Sequence, residues 1–396
     1  MRILHVTDFY LPRLGGIEMH VSDLMARQRA AGHEVSVLTS SPGPDEPWVT
    51  RLRSSHRLQH ALHPGATLSG VRSLTDIDAD VVHVHVGVLS PLGFFVARAA
   101  SRRGIPTVVT VHSLWVGVHA LMSTLDAVGG WSRLPIVWTV VSDAAAQPLR
   151  RILGPEREVR VIPNGVDQDD WRSLRRRATH RAAGGDGADL RQPGAAGQRP
   201  VVVAAVMRLS QRKRPFALLR ALRRAQHHLG TEQQIHLVVA GDGPWRAVLE
   251  AYARLRGVSG AVTFRGRLPR DEVRELLGSA DAFVAPATRE SFGIAALEAR
   301  CAGLPVVAMS SGGVREFVRH EVEGLLCDDD EELALGLARI ARDEALRRRL
   351  HDHNLTVQTR VGWKGVLGMT EQAYVAAGAA TGATGATGES PSVEVA

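Results

Sequence analysis

Short, continuous apolar runs alternate with helical periodicity along most of this chain, and no other feature limits its possible folds so strongly. The runs at residues 3–6, 35–38, 81–84, 107–111, 136–141 and 159–162 are rich in β-formers and unbroken. A strand reads that way when both its faces are covered, as in parallel sheets flanked by helices. Helical patterns at 18–30, 92–102 and 144–153 lie between them. The first part of the chain, 1–171, therefore reads as a doubly wound α/β domain.

The pattern breaks at 172–200, where Arg, Gly and Ala dominate without an apolar period; this reads as a linker or surface loop. A second α/β domain is expected over 201–359. Its strands are placed at 201–206, 236–240, 262–264, 282–285 and 305–308, with helices at 215–228, 245–256, 270–277 and 292–302. A last helix is expected within 360–377 that could cross back to the first domain, and 378–396 reads as a disordered low-complexity tail. Two facing α/β domains would enclose a crevice at the carboxyl ends of both sheets, so the chemistry is sought in loops that follow strands.

Composition narrows the function. Lys+Arg 48 against Asp+Glu 41 gives +7, which favours a polyanionic partner such as a phosphate, an anionic membrane or a nucleic acid. Aromatic residues are only 5%, and neither a recognition-helix nor a stacking pattern is present, so no nucleic acid is expected. Arg51, Arg53, Arg57 and the Arg-rich stretch 172–181 suggest weak peripheral association with an anionic membrane. No apolar run approaches the ~20 residues of a spanning helix. The opening MRILHVTDFY is broken by Asp8 and reads as a strand rather than a signal peptide. Two cysteines, Cys301 and Cys327, make neither a disulfide framework nor a Cys-rich zinc site, and a cytoplasmic setting is expected.

Several loops could carry chemistry. Gly15-Gly16-Ile17-Glu18 follows the first strand and opens a helix, where free N–H groups can meet an anion; a tight turn with a helix-starting acid fits equally well. Arg208 and Lys213 follow the first strand of the second domain and could clamp a diphosphate, Arg as a planar fork and Lys as a point charge. The alternative is a solvated basic loop, since Arg212 and Arg214 are neighbours. Glu290 and Glu298 are eight residues apart, on nearly one helical face, with Ser291, Phe292 and Gly293 offering N–H groups at the helix start. Carboxylates there could accept from sugar hydroxyls, or could be a cap and an unrelated surface acid.

His112 ends a strand and is expected at the crevice rim, while His83 and His85 share a strand face and suit packing or lining better than a metal. The Asp-x-Asp spacing at Asp76, Asp78 and Asp80 precedes a strand, the wrong end for a metal-bound diphosphate, and reads as a polar turn; 328–330 reads as a solvated loop. The turn at Gly241-Asp242-Gly243-Pro244 leads into a helix and could line the crevice.

Taken together, GGIE at 15–18, TVHS at 110–113, VIPNGVD at 161–167, MRLSQRK at 207–213, VVAGDGP at 238–244, VTFRGRL at 262–268, RESFGIAALEARCAGLPVV at 289–307 and SGGVREFV at 311–318 resemble the retaining glycosyltransferases of family 4. The resemblance implies the GT-B fold, two Rossmann-like domains facing a crevice, and transfer of a sugar from a nucleotide-diphosphate donor without a metal or other cofactor. It further implies that Arg208 and Lys213 hold the diphosphate and that Glu290 holds sugar hydroxyls. Phe292, Gly293 and Ile294 would supply backbone contacts, Glu298 would bind the ribose, Gly16 would approach the diphosphate, and His112 would lie beside the transferred sugar.

Met207 stands where the family has Gly, and Arg214-Pro215 follows Lys213 where Gly is usual. The segments VVHVH at 81–85 and TVHSLW at 110–115 look closest to the branch that adds N-acetylglucosamine to phosphatidylinositol, which favours UDP-sugars over GDP-mannose and leaves a lipid, inositol-type, glycan or small-molecule acceptor open. A sugar-nucleotide epimerase or a non-catalytic binding protein of the same fold are the alternatives. The latter fits poorly with Arg208, Lys213, Glu290 and Glu298 all in place. A phosphorylase would need a pyridoxal lysine, and Lys213 and Lys364, the only two lysines, sit in no such motif.

Overall fold

The computed structural model describes residues 1–52, 64–172, 199–231 and 233–385. They form two compact units. Met1–Gly165 together with the stretch from Trp363 makes the first, and Val166–Gly362 the second.

The first unit holds a seven-stranded parallel sheet in the order β3-β2-β1-β4-β5-β6-β7, built from β1 (Arg2–Thr7), β2 (Glu34–Thr39), β3 (Val49–Arg51), β4 (Val81–Val86), β5 (Thr107–Val111), β6 (Ile136–Val140) and β7 (Val159–Val161). The unbroken valine runs are buried on both faces, and Val6, Val82, Val84, Val108 and Val109 are fully enclosed. Helices α1 (Gly16–Ala30), α2 (Pro64–Ser73), α3 (Pro91–Arg102), α4 (His119–Gly129) and α5 (Asp143–Leu153) connect the strands. The hydroxyl of Ser142 caps α5 by accepting from the Ala145 N–H.

The second unit holds a six-stranded parallel sheet, β10-β9-β8-β11-β12-β13, from β8 (Val201–Val206), β9 (Ile235–Ala240), β10 (Val262–Gly266), β11 (Ala282–Ala285), β12 (Val306–Met309) and β13 (Gly324–Cys327). Around it lie α6 (Pro215–Leu229), α7 (Arg246–Leu255), α8 (Arg270–Ser279), α9 (Ile294–Cys301), α10 (Asp330–Arg342) and α11 (Glu344–Thr356). Strand order reverses between β8 and β11, which makes the loops after those two strands the switch point where open α/β sheets take ligands.

The boundaries differ from the sequence reading in three places. The first unit ends at Gly165 rather than 171, because Val166 bridges to Gly362 and packs with the second unit, which itself continues to Gly362 rather than 359. The last helix, α12 (Trp363–Gly385), extends past 377, so 378–385 is helical rather than a disordered tail. Its Gly and Thr residues are poor helix formers, so the helix is carried on from the anchored turns before it rather than by local propensity. Trp363, Val366, Ala373, Tyr374 and Ala377 are buried in the first unit at helical spacing. Residues 173–198, the bulk of the expected linker, lie outside the described residues, as do Arg53 and Arg57.

No helix of the described residues is long and apolar enough to cross a membrane. Arg51 is not available to an anionic surface, because its guanidinium donates to the carbonyls of Pro44, Leu11 and Ser41. The Asp-x-Asp stretch is a polar turn as expected, with Asp78 and Asp80 holding Arg2 at the start of β1.

Candidate functional site

In the second unit, the loops after β8 and β11 bring Lys213 and Glu290 together. The Lys213 ammonium donates to Glu290 Oε2 at 2.5 Å, with the two side chains 34% and 17% exposed. Sequence reasoning gave these residues separate ligands; in the structure they hold each other. Arg208 is exposed on the same loop as Lys213; its carbonyl accepts from the Ser210 N–H at 2.8 Å, and its guanidinium makes no hydrogen bond among the described residues. The loop is braced by the GDGP turn. Met207 N–H donates to the Ala240 carbonyl at 2.9 Å and Leu209 N–H to the Asp242 carbonyl at 3.0 Å. Leu209 is fully buried and anchors the loop beside the two cations.

Lys213 closes a short 3-10 turn, and Arg214 then adopts the left-handed conformation, φ 54, before Pro215 opens α6. This is the position where the resembled family has Gly. Here the backbone strain of a side chain at positive φ is offset by two contacts. Arg214 donates to the Pro286 carbonyl at 3.1 Å and to Asp330 at 2.7 Å. Asp330 is therefore not part of a freely solvated loop; it ties the start of α10 to the loops after β8 and β11.

Helix α9 starts at Ile294, not at 292, because Gly293 takes φ 95 and reverses the chain just before it. Glu290 consequently stands in the loop ahead of the helix, and only Glu298 lies on it, so the two carboxylates do not share a helical face. Phe292 points inward, 1% exposed, against Phe317. Ser291, Gly293 and Ile294 stay half-buried at the helix start, as does Glu298. The SGG segment packs directly on this turn: Gly313 N–H donates to the Glu290 carbonyl at 2.8 Å, and a Cβ on Gly313 would lie 2.2 Å from the Ser291 carbonyl oxygen.

In the first unit, Gly15 and Gly16 open α1 after β1. Gly16 is exposed, and the buried Glu18 carboxylate folds back so closely that a Cβ on Gly15 would meet Glu18 Oε2 at 2.5 Å. His112 follows β5 but does not stand free at a rim. It is 6% exposed, its N–H donates to the Val86 carbonyl, and its Nε2 lies 3.0 Å from His85 Nδ1. Burial pushes its pKa down to about 3. His83 and His85 are packed inside as well, so they belong with the packing reading.

Sequence reasoning missed Gln28, Tyr374 and His20, which surround these histidines; the signal was the odd polar residue inside an otherwise apolar strand or helix face. Cys301 and Cys327 are buried thiols raised to about 12 and take no part in the site.

A family model described as "Glycosyltransferase Family 4" matches residues 14–170, and one described as "Glycosyl transferases group 1" matches 187–354. The chain is a glycosyltransferase of the GT-B fold. Among curated relatives, it is 28% identical to a glycogen synthase of Mycobacterium tuberculosis over 95% of each chain. It is 29% identical to the GDP-mannose-dependent alpha-(1-6)-phosphatidylinositol monomannoside mannosyltransferase of the same organism, over 83% of this chain and 85% of that one. Among solved structures, Anabaena HepE in complex with UDP and glucose shares the fold at TM-score 0.68 and 19% identity, covering 98% of this chain and all of that one.

Proposed function

We propose that this glycosyltransferase takes a nucleotide-diphosphate sugar, a UDP-sugar ahead of GDP-mannose, and transfers the sugar to an acceptor hydroxyl with retention of anomeric configuration. The observation that carries the reading is the Lys213–Glu290 pair at the switch point of the second sheet, beside the exposed Arg208. An arriving diphosphate replaces Glu290 as the partner of the Lys213 ammonium, and the released carboxylate turns to the sugar hydroxyls. Arg208 and Lys213 then face the charge that grows on the leaving phosphate, and N–H groups before α9 add to that field. Glu298 takes the ribose, and Gly16 and His112 belong to the loops of the first unit that meet the diphosphate and the transferred sugar.

No divalent metal enters this scheme, since two cations already serve the diphosphate. The relatives' names span different donors and acceptors, so the acceptor is of lipid, inositol-type, glycan or small-molecule class. Cytoplasmic action, with peripheral contact at the inner face of a membrane, fits a lipid-type acceptor.

A melting-temperature panel of UDP-, GDP- and ADP-sugars tests the donor. A ligand that binds only the folded state at a hundred times its Kd stabilises by about 2.7 kcal/mol. A shift with UDP-sugars alone is expected, and equal shifts with all three would remove the base preference. Turnover with the preferred donor should survive EDTA; complete loss restored by manganese would overturn the metal-free scheme. Proton NMR of the product's anomeric centre decides retention.

A further inference from the structure

In the first unit a polar stripe crosses a largely apolar sheet. His5 of β1 is in register with His83 of β4, His85 of β4 with Thr110 of β5, and Thr110 with Thr139 of β6. All five are buried. Helix α1 adds Gln28 and α12 adds Tyr374. The ligand-type nitrogens of His5, His83 and His85 gather within 4.8 Å of one another. Hydrogen bonds hold all six ring nitrogens, however, so the rings behave as neutral hydrogen-bonded imidazoles. Burial keeps them neutral, pushing His5 down to about 4 and His83 and His85 well below their ordinary range.

A neutral imidazole has one N–H and one lone pair, so every contact has a direction that fixes the next. The Val109 carbonyl can only accept, and the Thr139 hydroxyl donates to it at 3.4 Å. The proton between Thr110 and Thr139, 2.5 Å apart, therefore belongs to Thr110. Thr110 accepts from His83 Nε2 at 2.7 Å, which leaves His83 Nδ1 to accept from the Tyr374 hydroxyl at 2.8 Å. Tyr374 in turn accepts from the Gln28 amide nitrogen at 2.8 Å, and this turns the Gln28 carbonyl oxygen toward His5 Nε2 at 2.7 Å. The second arm follows from that oxygen. His5 donates from Nε2 and accepts at Nδ1 from His85 Nε2 at 2.9 Å. His85 accepts at Nδ1 from His112 Nε2 at 3.0 Å. The Nδ1 of His112 ends the chain and makes no hydrogen bond among the described residues.

We propose that Gln28 sets the polarity of this network, holding His5, His85 and His112 in the Nε2–H tautomer and presenting the Nδ1 of His112 as a hydrogen-bond acceptor. Gln28 is a positioning residue, acting through two buried rings, and Tyr374 on α12 orients its amide. The lock itself stands on the hydrogen bonds above. Its service to the reaction rests on the proposed place of His112 beside the transferred sugar, where a lone pair accepts a hydrogen bond from a hydroxyl and an N–H would not.

Long-range proton–nitrogen NMR of histidine-labelled protein at pH 7.5 reads the tautomers directly. In the wild type, His5, His83, His85 and His112 should all carry the proton on Nε2. Gln28→Leu should give His112 mixed tautomers, and Gln28→Glu, whose carboxylate still accepts from His5, should keep the Nε2–H form. Tyr374→Phe, which removes the orienting hydroxyl without touching His112, should also mix the His112 tautomers; it keeps the test open if Gln28→Leu fails to fold. An Nδ1–H His112 in the wild type, or a pattern unchanged in both Gln28→Leu and Tyr374→Phe, would overturn the lock. Turnover separates the two readings: a fall in kcat of about tenfold with donor affinity unchanged is expected for Tyr374→Phe. Mixed tautomers with unchanged kcat would support the lock and overturn the placement of His112 at the sugar.

Discussion

The second unit keeps its candidate site charged and accessible, with Lys213 and Glu290 paired in loops and Arg208 exposed beside them. The first unit encloses a run of neutral imidazoles beneath α12. The contrast teaches how a protein stores function in polar residues. A charge in a loop is held by a partner that a ligand can displace, and its cost when unliganded is small because water screens it. A polar group inside a sheet cannot wait for a ligand; all its protons must be placed internally, so it acts by position and direction rather than by charge. The predictions test that division from the larger effect to the smaller.

Removing either partner of the charged pair should have the largest effect, in opposite directions on ligand binding. Lys213→Ala removes a cation from the growing phosphate charge, a loss of about 10²–10³ in kcat by analogy with single oxyanion-stabilising donors. The bare nucleoside diphosphate should weaken by one to two decades, from a lost charge-assisted contact of about 1.5–3 kcal/mol. Glu290→Ala should also lower kcat, but it frees the Lys213 ammonium from its internal competitor, so the bare diphosphate should bind as well as before or better. Calorimetric titration with UDP and GDP reads both. Equal weakening in the two variants would show that the pair acts as one structural unit.

Acid should separate the two units next. The imidazoles of His5, His20, His83, His85 and His112 all have lowered pKa values in the folded protein, so the unfolded chain binds protons from pH 6.5 downward and the fold does not. The stability they hold at neutral pH is lost as pH falls below 6.5, at about 1.4 kcal/mol per ring per pH unit. Asp8 works the other way: enclosed at the start of α3, with N–H donors from Leu92 and Gly93, it is raised to about 7 and gives stability that is lost as pH rises toward that value. Five rings outweigh one carboxyl between pH 4 and 6.5. Arg29 adds to the depression at His5, and Glu371 faces Tyr374 from the same helix.

Hydrogen exchange at pH 7.5 and 5.5 should show β1, β4 and β5 losing protection before β8 and β11. His20→Phe should reduce the acid loss, since the buried Nδ1 of His20 has no partner among the described residues and its ring stacks on Trp363, a contact phenylalanine can keep. If β8 and β11 open first, the imidazoles are not the acid-sensitive element.

The same contrast explains what the sequence made legible. The parallel sheets could be read because both-face burial demands unbroken apolar runs, and Lys213 and Glu290 could be placed in the loops after β8 and β11 because each follows an apolar run of strand length. Glu290 could be placed in the right loop but not off the helix: eight-residue spacing fits two turns, and only the positive φ of Gly293 moves the helix start to Ile294. The pairing of Glu290 with Lys213 joins residues 77 apart and leaves no local signal. The histidine network is harder still. His5, Gln28, His83 and Tyr374 come from two strands and two helices, and each alone reads as an ordinary packed residue. The helical course of 378–385 was hidden because low complexity describes composition, whereas the buried residues of the preceding turns determine that the helix exists.

The smallest effect concerns Arg214, the residue with positive φ in the charged loop. Its left-handed backbone costs about 1–2 kcal/mol for a side chain and nothing for Gly. Its contacts to Pro286 and Asp330 return a comparable amount, because charge-assisted hydrogen bonds to half-buried partners are worth about 1.5–3 kcal/mol before solvent screening. Arg214→Ala keeps the strained backbone and loses both contacts. Arg214→Gly loses the contacts and removes the strain. Denaturant unfolding should therefore find Arg214→Ala less stable than Arg214→Gly by about 1 kcal/mol, with Arg214→Gly within about 1 kcal/mol of the wild type. Equal losses in the two variants would show that the backbone at 214 stores no strain. The contacts to Pro286 and Asp330 would then be the whole reason for arginine at this position.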